Sequence, residues 1–513
     1  MPSLTKNVNS QGLLSALRMA LFAAAVIYLG HFIAREIFDI PSRKDILIFI
    51  TLALFIPVMK FPISGVYFLF LIPPFIAFVR RFYYLFYERP GNDLLLIIPD
   101  VVVVLLSIVL FDRIRKGERI KTEDRGLVLW LWVFIFYQFL RVFVANGSGW
   151  VTGINQFKFI TLFSLCFFFA IHFIRSKKQV ITIFKITFFL GAVIAVYGIK
   201  QAYFGFTHFE ELWLEKMKTT FVTLFLEGKP RPFSTLPSPA TFADFMVIAI
   251  LVSMSLLSLK QVRFKPLYLF FIPVMFAGLL LTSVRSNWIG FLVGVLFWFI
   301  IAHRSSIRLK VGMVAFLVVL YFSVSVALEL SGAAELTGIA GVQSLQAKRP
   351  GKKLTDILVT DRVSALTNPL QERSMIARSV MWKFVLETSL QLPMGPMGWG
   401  MGSFNAHSYY FSTLYDLGYF GLFLLVMVLF RIFRVGYRVY RDEEEPEKRV
   451  IIRCILSILF VITIMNATGS HTGEHPADVY YWFLAGILMV IRRLKSGRDD
   501  ESERLQEAIV DPT

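Results

Sequence analysis

The chain has 513 residues, 56% hydrophobic and only 17% charged, and its 53 Lys and Arg against 35 Asp and Glu give a net charge of +18. A soluble globular chain carries about 25% charge, so a mean hydropathy of +0.65 excludes a water-soluble enzyme, a disordered chain and a disulfide-stapled secreted domain. Its apolar runs are continuous rather than alternating with period two. That excludes an outer-membrane barrel and predicts an all-α integral membrane protein, a polytopic helical bundle of about 12–14 transmembrane helices.

The basic excess is concentrated in a few places. Segments 113–125, 175–178, 260–265, 304–310, 431–449 and 492–513 hold 26 of the 53 Lys and Arg within 71 residues. Cytoplasmic loops retain basic residues, and anionic headgroups hold them there, so the charge reports topology and a bilayer partner rather than a nucleic acid. Cys166 and Cys454 lie in apolar runs far apart in sequence and read as small buried hydrophobes.

In chain order, the predicted spans are 14–34, 46–59, 62–79, 93–112, 126–145, 157–174, 180–201, 240–259, 267–283, 286–303, 311–328, 407–430, 450–467 and 477–491. The first is a retained helix rather than a cleaved signal. The pair 46–59 and 62–79 is either two spans or a re-entrant hairpin, and Arg80 and Arg81 fall on the outer side in both readings. The chain divides into N-terminal helices 1–112, a core 113–328, a large outer (periplasmic) loop 329–406, C-terminal helices 407–492 and a polar cytoplasmic tail 493–513. Segments 146–156 and 468–476 contain no Lys or Arg and are expected outside, as is loop 202–239.

Both long loops are expected to hold a helix. In 208–227 the residues Phe209, Leu212, Trp213, Met217, Phe221 and Leu224 recur at helical spacing, suited to a helix in the interface plane. In the larger loop, Asn368 and Pro369 read as cap and first turn, followed by the stripe Ile376, Ala377, Val380, Met381, Phe384, Val385. Gly395, Pro396, Gly398, Gly400 and Gly402 then end the helix before His407.

Charged groups at membrane depth are costly and call for a reason. Arg285 interrupts LLLTSVRSNWIGFLVG and is either a turn residue snorkelling to headgroups or a ligand for an anion. Arg231 sits in the proline-stiffened KPRPFSTLPSPATF, as either a surface arginine or a second anion ligand. A guanidinium fork suits bidentate grip of a phosphate or diphosphate. His407 opens HSYYFSTLYDLGYFGLFLL, as either a helix-end histidine or a base near neutral pH. Asp416, nine residues further in, is expected to pair with a cation or hydroxyl, and Asp100 and Arg141 to form an internal ion pair. His471-Thr472-Gly473-Glu474-His475 matches H-x-x-E-H, but it lies in a glycine-bearing loop rather than on a helix, so no metal site is assigned. The glycines at 395–402 fit no nucleotide-binding pattern, and no cofactor is expected.

In order and spacing these pieces resemble the O-antigen ligase and polymerase superfamily of bacterial envelope glycosyltransferases. The matching fragments are GIKQ at 198–201, RPFSTLPSPATF at 231–242, TSVRSNWIG at 282–290, Arg378-Ser-Val-Met-Trp382, PMGWGMG at 396–402 and HSYY…DLGYFG at 407–421, within residues 120–490. Ser408 and Ser286 depart from the Asn and Gly frequent in that family, which bears on fine acceptor positioning. The resemblance implies glycosyl transfer on the outer face of the inner membrane, without nucleotide or required metal. The donor would be a glycan on undecaprenyl pyrophosphate and the acceptor another glycan or a lipid-linked sugar, with inversion at the anomeric carbon. By motif position, Arg231 and Arg285 would hold the pyrophosphate, Arg378 would contact donor phosphate or sugar, and His407 would be the base or would orient the hydroxyl. Polymerase is preferred to ligase because the long second loop would cradle a growing chain. The alternative class is a secondary transporter or channel for a small anion using Arg285, Asp100, Arg141 and Asp416 along a midplane path. A lipid-linked glycan flippase is disfavoured because few spans carry a deep cation.

Overall fold

The computed structural model describes residues 43–82, 85, 97–118, 122–144, 149–217, 224–226, 229–260, 262–301, 373–391, 394–402, 404–473 and 475–494. The predicted spans 14–34 and 311–328, the loop residues Asn368 and Pro369 and the tail after 494 lie outside them. The described part is an all-helical membrane bundle. Its helices are α1 (Arg43–Lys60), α2 (Pro62–Leu71), α3 (Pro73–Phe82), α4 (Ile98–Arg115), α5 (Arg125–Val142), α6 (Gly149–Thr161), α7 (Cys166–Phe173), α8 (Lys177–Phe204) and α9 (His208–Met217). After a pair of two-residue strands, β1 (Phe225–Leu226) and β2 (Lys229–Pro230), come α10 (Pro239–Ser258), α11 (Lys265–Leu281) and α12 (Arg285–Ile301). Beyond the large loop lie α13 (Arg373–Ser389), α14 (Met394–Met397), α15 (Tyr409–Asp442), α16 (Pro446–Met465) and α17 (Ala477–Leu488).

Among the described residues, five helical segments are long and apolar enough to cross a membrane: α5, Val151–Phe173, α8, α10 and α15. A sixth is added if α2 and α3, bent by 57° at their junction, count as one broken span. Expected segment 62–79 is therefore a kinked pair, broken where Pro73 and Pro74 follow Ile72. Segment 146–156 is not wholly a loop, because α6 begins at Gly149. Of the helix expected over 208–227, the described helix covers His208–Met217, while Phe225 and Leu226 form strand β1 instead.

Local sequence explains several starts. Ser176 and Gln179 form a capping box on α8, and Ser238 caps α10 with Pro239 in its first turn. Asp124 caps α5 by accepting from the Leu127 amide. The centre is α10, buried from Thr241 to Leu256, and glycines let its neighbours approach. A Cβ on Gly191 of α8 would lie 2.5 Å from that of Ala249, and one on Gly294 of α12 would lie 2.2 Å from Val461 Cγ2. Apolar side chains such as Phe136, Phe189, Phe270 and Phe430 instead face outward, the surface a bilayer would cover.

The two ends of the bundle differ chemically. At one end, four of the predicted basic segments are tied to each other. Lys177 pairs with Glu445 and, at 2.6 Å, with Glu447, and Arg175 pairs with Glu118. Arg431 reaches Asp124 at 3.4 Å, while Arg492 reaches Glu123 at 3.4 Å and Asp442 at 3.2 Å. The 28 residues of α8 carry the chain to the other end, about 42 Å away at 1.5 Å per residue. There lie the loop 231–238, the turn 282–284 and the segment 398–408.

Candidate functional site

Arg231 is carried by a loop that is rigid for reasons its own sequence does not disclose. Arg81, at the end of α3, is fully buried and donates from Nη1 to the Ser234 carbonyl at 2.8 Å and from Nη2 to the Leu236 carbonyl. Its guanidinium lies 4.0 Å from the Phe233 ring centre and 4.8 Å from that of Trp213, with Glu210 4.0 Å away. Gln201, the last residue of GIKQ, accepts the Phe233 and Ser234 amides at 3.1 and 2.6 Å and donates to Glu210 at 2.7 Å. Glu210 in turn accepts the Thr207 amide and hydroxyl at 2.9 and 2.8 Å. A buried cation and a buried anion thus each have several polar partners, although Arg81 Nε makes no hydrogen bond, and such partners are the condition for keeping charges there.

From that loop, Arg231 Nη1 lies 3.5 Å from the Thr282 carbonyl. Thr282 and Ser283 form the turn that starts α12, whose first residue is Arg285. Two arginines 54 positions apart are therefore carried to the same corner, at the N-terminal end of a helix whose dipole favours an anion. Two residues into α12, Asn287 donates to Asp244 Oδ1 at 2.5 Å, and Asp244 Oδ2 meets His471 Nδ1 at 2.8 Å. Asp244, Asn287 and His471 are all buried, and the carboxylate joins α10, α12 and the loop before α17.

His407 arrives from the other side. Backbone bonds from the Tyr409 amide to the Asn466 and Gly469 carbonyls, at 3.0 and 2.8 Å, seat it against the His471 loop. Its own amide donates to Asn405 Oδ1 at 3.0 Å, and its side chain is half-buried, partly open to solvent. Trp382 of α13 donates to the Ala406 carbonyl at 3.0 Å and stacks on Phe411 with ring centres 5.0 Å apart, which brings Arg378, one turn earlier, near the imidazole. Burial, and then the Arg378 charge, push the His407 pKa below its ordinary value, so the ring is neutral near pH 7 and able to accept a proton. Burial likewise lowers the pKa of Arg378. The i,i+4 partner Trp382 is thus a packing anchor, while Arg378 supplies charge beside the histidine.

Backbone strain falls in the same places. Among the described residues, the non-glycine residues with positive φ are Ser234 (55°), Ser283 (56°), His407 (50°) and Phe264 (60°). Three of these four lie in the loops that carry Arg231, Arg285 and the histidine, where such conformations, costing about 1–2 kcal/mol each, tend to be kept for function.

The glycine run does more than end a helix. Gly398, with φ of +82°, fits where a Cβ would lie 2.4 Å from both the Asp416 carbonyl and the Gly418 amide. The Trp399 and Gly400 amides donate to the Tyr415 and Asp416 carbonyls at 2.8 and 2.9 Å, filling the break that Gly418 makes in α15.

One expectation is corrected here. Asp100 and Arg141 do not pair with each other. Asp100 lies 2.5 Å from Lys158, and Arg141 donates to the Gly398 carbonyl at 2.6 Å, because helix register sets partners and charge type alone does not. Asp416 accepts the Gly402 amide at 3.0 Å. The two histidines of the H-x-x-E-H stretch turn to separate carboxylates, His471 to Asp244 and His475 to Asp478 at 2.7 Å. The sequence pattern does not single out Arg81, Gln201, Glu210, Asp244, Asn287 and His471 as site residues. The available signals were a cation on the wrong side of the topology and a lone aspartate inside an apolar run.

No protein-family model matches this chain, and no curated protein matches it at a significant level.

Proposed function

We propose that this protein is a membrane glycosyltransferase of the O-antigen ligase and polymerase type. It would act at the outward face of a bacterial inner membrane, moving glycan from undecaprenyl pyrophosphate onto a sugar acceptor in surface polysaccharide assembly. The observation that carries the reading is the junction of the two arginine loops at Arg231 and Thr282, one buried carboxylate away from the loop that seats His407. The outward assignment rests on the opposite end, where the basic segments gather as cytoplasmic loops do.

In this reading the acceptor oxygen attacks the anomeric carbon as the bond from that carbon to the phosphate oxygen breaks. The acceptor proton passes to neutral His407, and the diphosphate leaves with its bonding electron pair. Charge accumulates on the departing diphosphate, and Arg231, Arg285 and the first amides of α12 are preorganised donors for it. Fixed donors of this kind lower a barrier by several kcal/mol in a site that excludes water. Burial, with the Arg378 charge second, favours the unprotonated imidazole, and Arg378 would contact donor phosphate or sugar. Against the transporter alternative, Asp100, Arg141 and Asp416 each contact a different partner, which favours the enzyme reading.

The test is transfer by purified protein supplied with undecaprenyl-pyrophosphate-linked oligosaccharide, resolved by gel. A ladder indicates polymerase and a single step indicates ligase. His407→Ala and Arg285→Ala are each expected to abolish product while the protein still inserts at normal level. Retained transfer in both would remove the assignment.

A further inference from the structure

A cavity of about 200 Å³ lies beside the His407 segment, between α5, α6, the start of α15 and the loop before α17. Its polar lining includes Gln138, Gln156, Asn405 and Asp416, and Phe159 and Phe404 supply aromatic surface. Among the described residues neither lysine nor arginine lines it, so it is chemically unlike the arginine corner and unsuited to a diphosphate. Carboxamides present a donor and an acceptor side by side, the pattern that adjacent hydroxyls on a sugar ring satisfy. Two of these groups are already oriented. The Gln138 carbonyl accepts from the Thr161 hydroxyl, which leaves its NH2 to donate elsewhere, and the Gly402 amide holds one oxygen of Asp416. Aromatic faces suit the C–H surface of a pyranose. The volume is below the roughly 300–1,000 Å³ of drug-sized pockets, which limits the occupant to about one ring.

We infer that this cavity is a saccharide subsite that seats one neutral pyranose of the acceptor. Its position gives the reason. Asn405 and Tyr409 both line it and stand on either side of His407, and Asn405 also accepts the His407 amide. A ring held there lies next to the segment that carries His407. The acceptor role rests on the glycosyl-transfer reading; saccharide binding does not.

The experiment measures binding and transfer separately. Protein in phosphatidylethanolamine–phosphatidylglycerol nanodiscs is titrated with glucose, galactose, rhamnose and N-acetylglucosamine, each followed by saturation-transfer NMR. At least one sugar is expected to bind. Gln156→Leu and Asn405→Ala, verified as folded by thermal melting, are each expected to weaken that sugar at least tenfold. Arg285→Ala and excess inorganic pyrophosphate are expected to leave it unchanged. In the transfer assay Gln156→Leu is expected to raise the acceptor KM at least tenfold with the donor KM unmoved. Absence of binding by all four sugars, equal binding by wild type and both variants, or displacement by pyrophosphate would overturn the subsite. Wild-type protein that binds sugar through Gln156 but transfers nothing would overturn the enzyme reading while leaving the subsite standing.

Discussion

Replacing Arg81 with leucine removes the fork that holds the Arg231 loop without removing anything expected to touch substrate. The Leu236 carbonyl loses its buried donor, at about 1–3 kcal/mol, and the Ser234 carbonyl loses one of two, keeping Gln201 Nε2 at 3.2 Å, at about 0.5–1.5 kcal/mol. The contacts with the Phe233 and Trp213 rings add about 0.5–2 kcal/mol each. Water entering the gap returns part of this, so the net loss of loop order is about 3–5 kcal/mol, or two to three and a half decades in the opening equilibrium at about 1.4 kcal/mol per decade. Hydrogen exchange followed by mass spectrometry reads that change directly, because the Phe233 and Ser234 amides report the Gln201 bonds. Protection at those amides is expected to fall at least a hundredfold in Arg81→Leu while the interior of α10 keeps its protection. Arg81→Lys keeps the charge and loses the fork, and is expected to fall between. Unchanged protection of Phe233 and Ser234 would refute the clamp.

Three further outcomes are expected. Arg378→Gln removes the cation that depresses His407, so the His407 pKa rises and the acid limb of the normalised kcat/KM profile shifts to higher pH; an unmoved limb would separate the two residues functionally. A double-mutant cycle of Asp244→Ala and His471→Ala, read by thermal melting, is expected to give a coupling of about 1–3 kcal/mol, whereas additivity within about 0.5 kcal/mol would deny the contact. Gly398→Ala and Gly117→Ala form a matched pair, because both positions have φ near +81° but only the first lacks room for a Cβ. The second is expected to cost about 1 kcal/mol and the first at least about 3 kcal/mol, visible as lost assembled protein; equal costs would refute the docking of the glycine segment.

The positions of most helices within the described residues, and Arg231, Arg285 and His407 as candidates, are legible because hydrophobic length and isolated charge are local signals. What holds those residues is not. Arg81 meets Ser234 across 153 positions and Asp244 meets His471 across 227, and no periodicity in one segment specifies the rotation of another. Arg81 registered only as a breach of the charge rule, although a buried arginine needs acceptors and the proline-braced loop supplies them. Asp100 and Arg141 were paired by sign, while register directed them to Lys158 and to the Gly398 carbonyl. The start of α6 at Gly149 was hidden by its polar residues. One of them, Gln156, faces the cavity rather than bulk solvent.

Helix α17 has twelve residues, every one of them buried. At 1.5 Å per residue it measures about 18 Å, against a hydrocarbon core of about 30 Å. So short a segment, wrapped by protein on all sides, has no stable residence in lipid by itself. The order of biogenesis follows: α17 enters a slot that α7 and α16 must already have built, with Gly486 seated where a Cβ would lie 2.3 Å from the Phe167 carbonyl. We therefore expect a nascent chain lacking residues 166–173 to leave its C-terminal end accessible to protease, whereas autonomous integration of residues 466–494 would reverse that sequence of events.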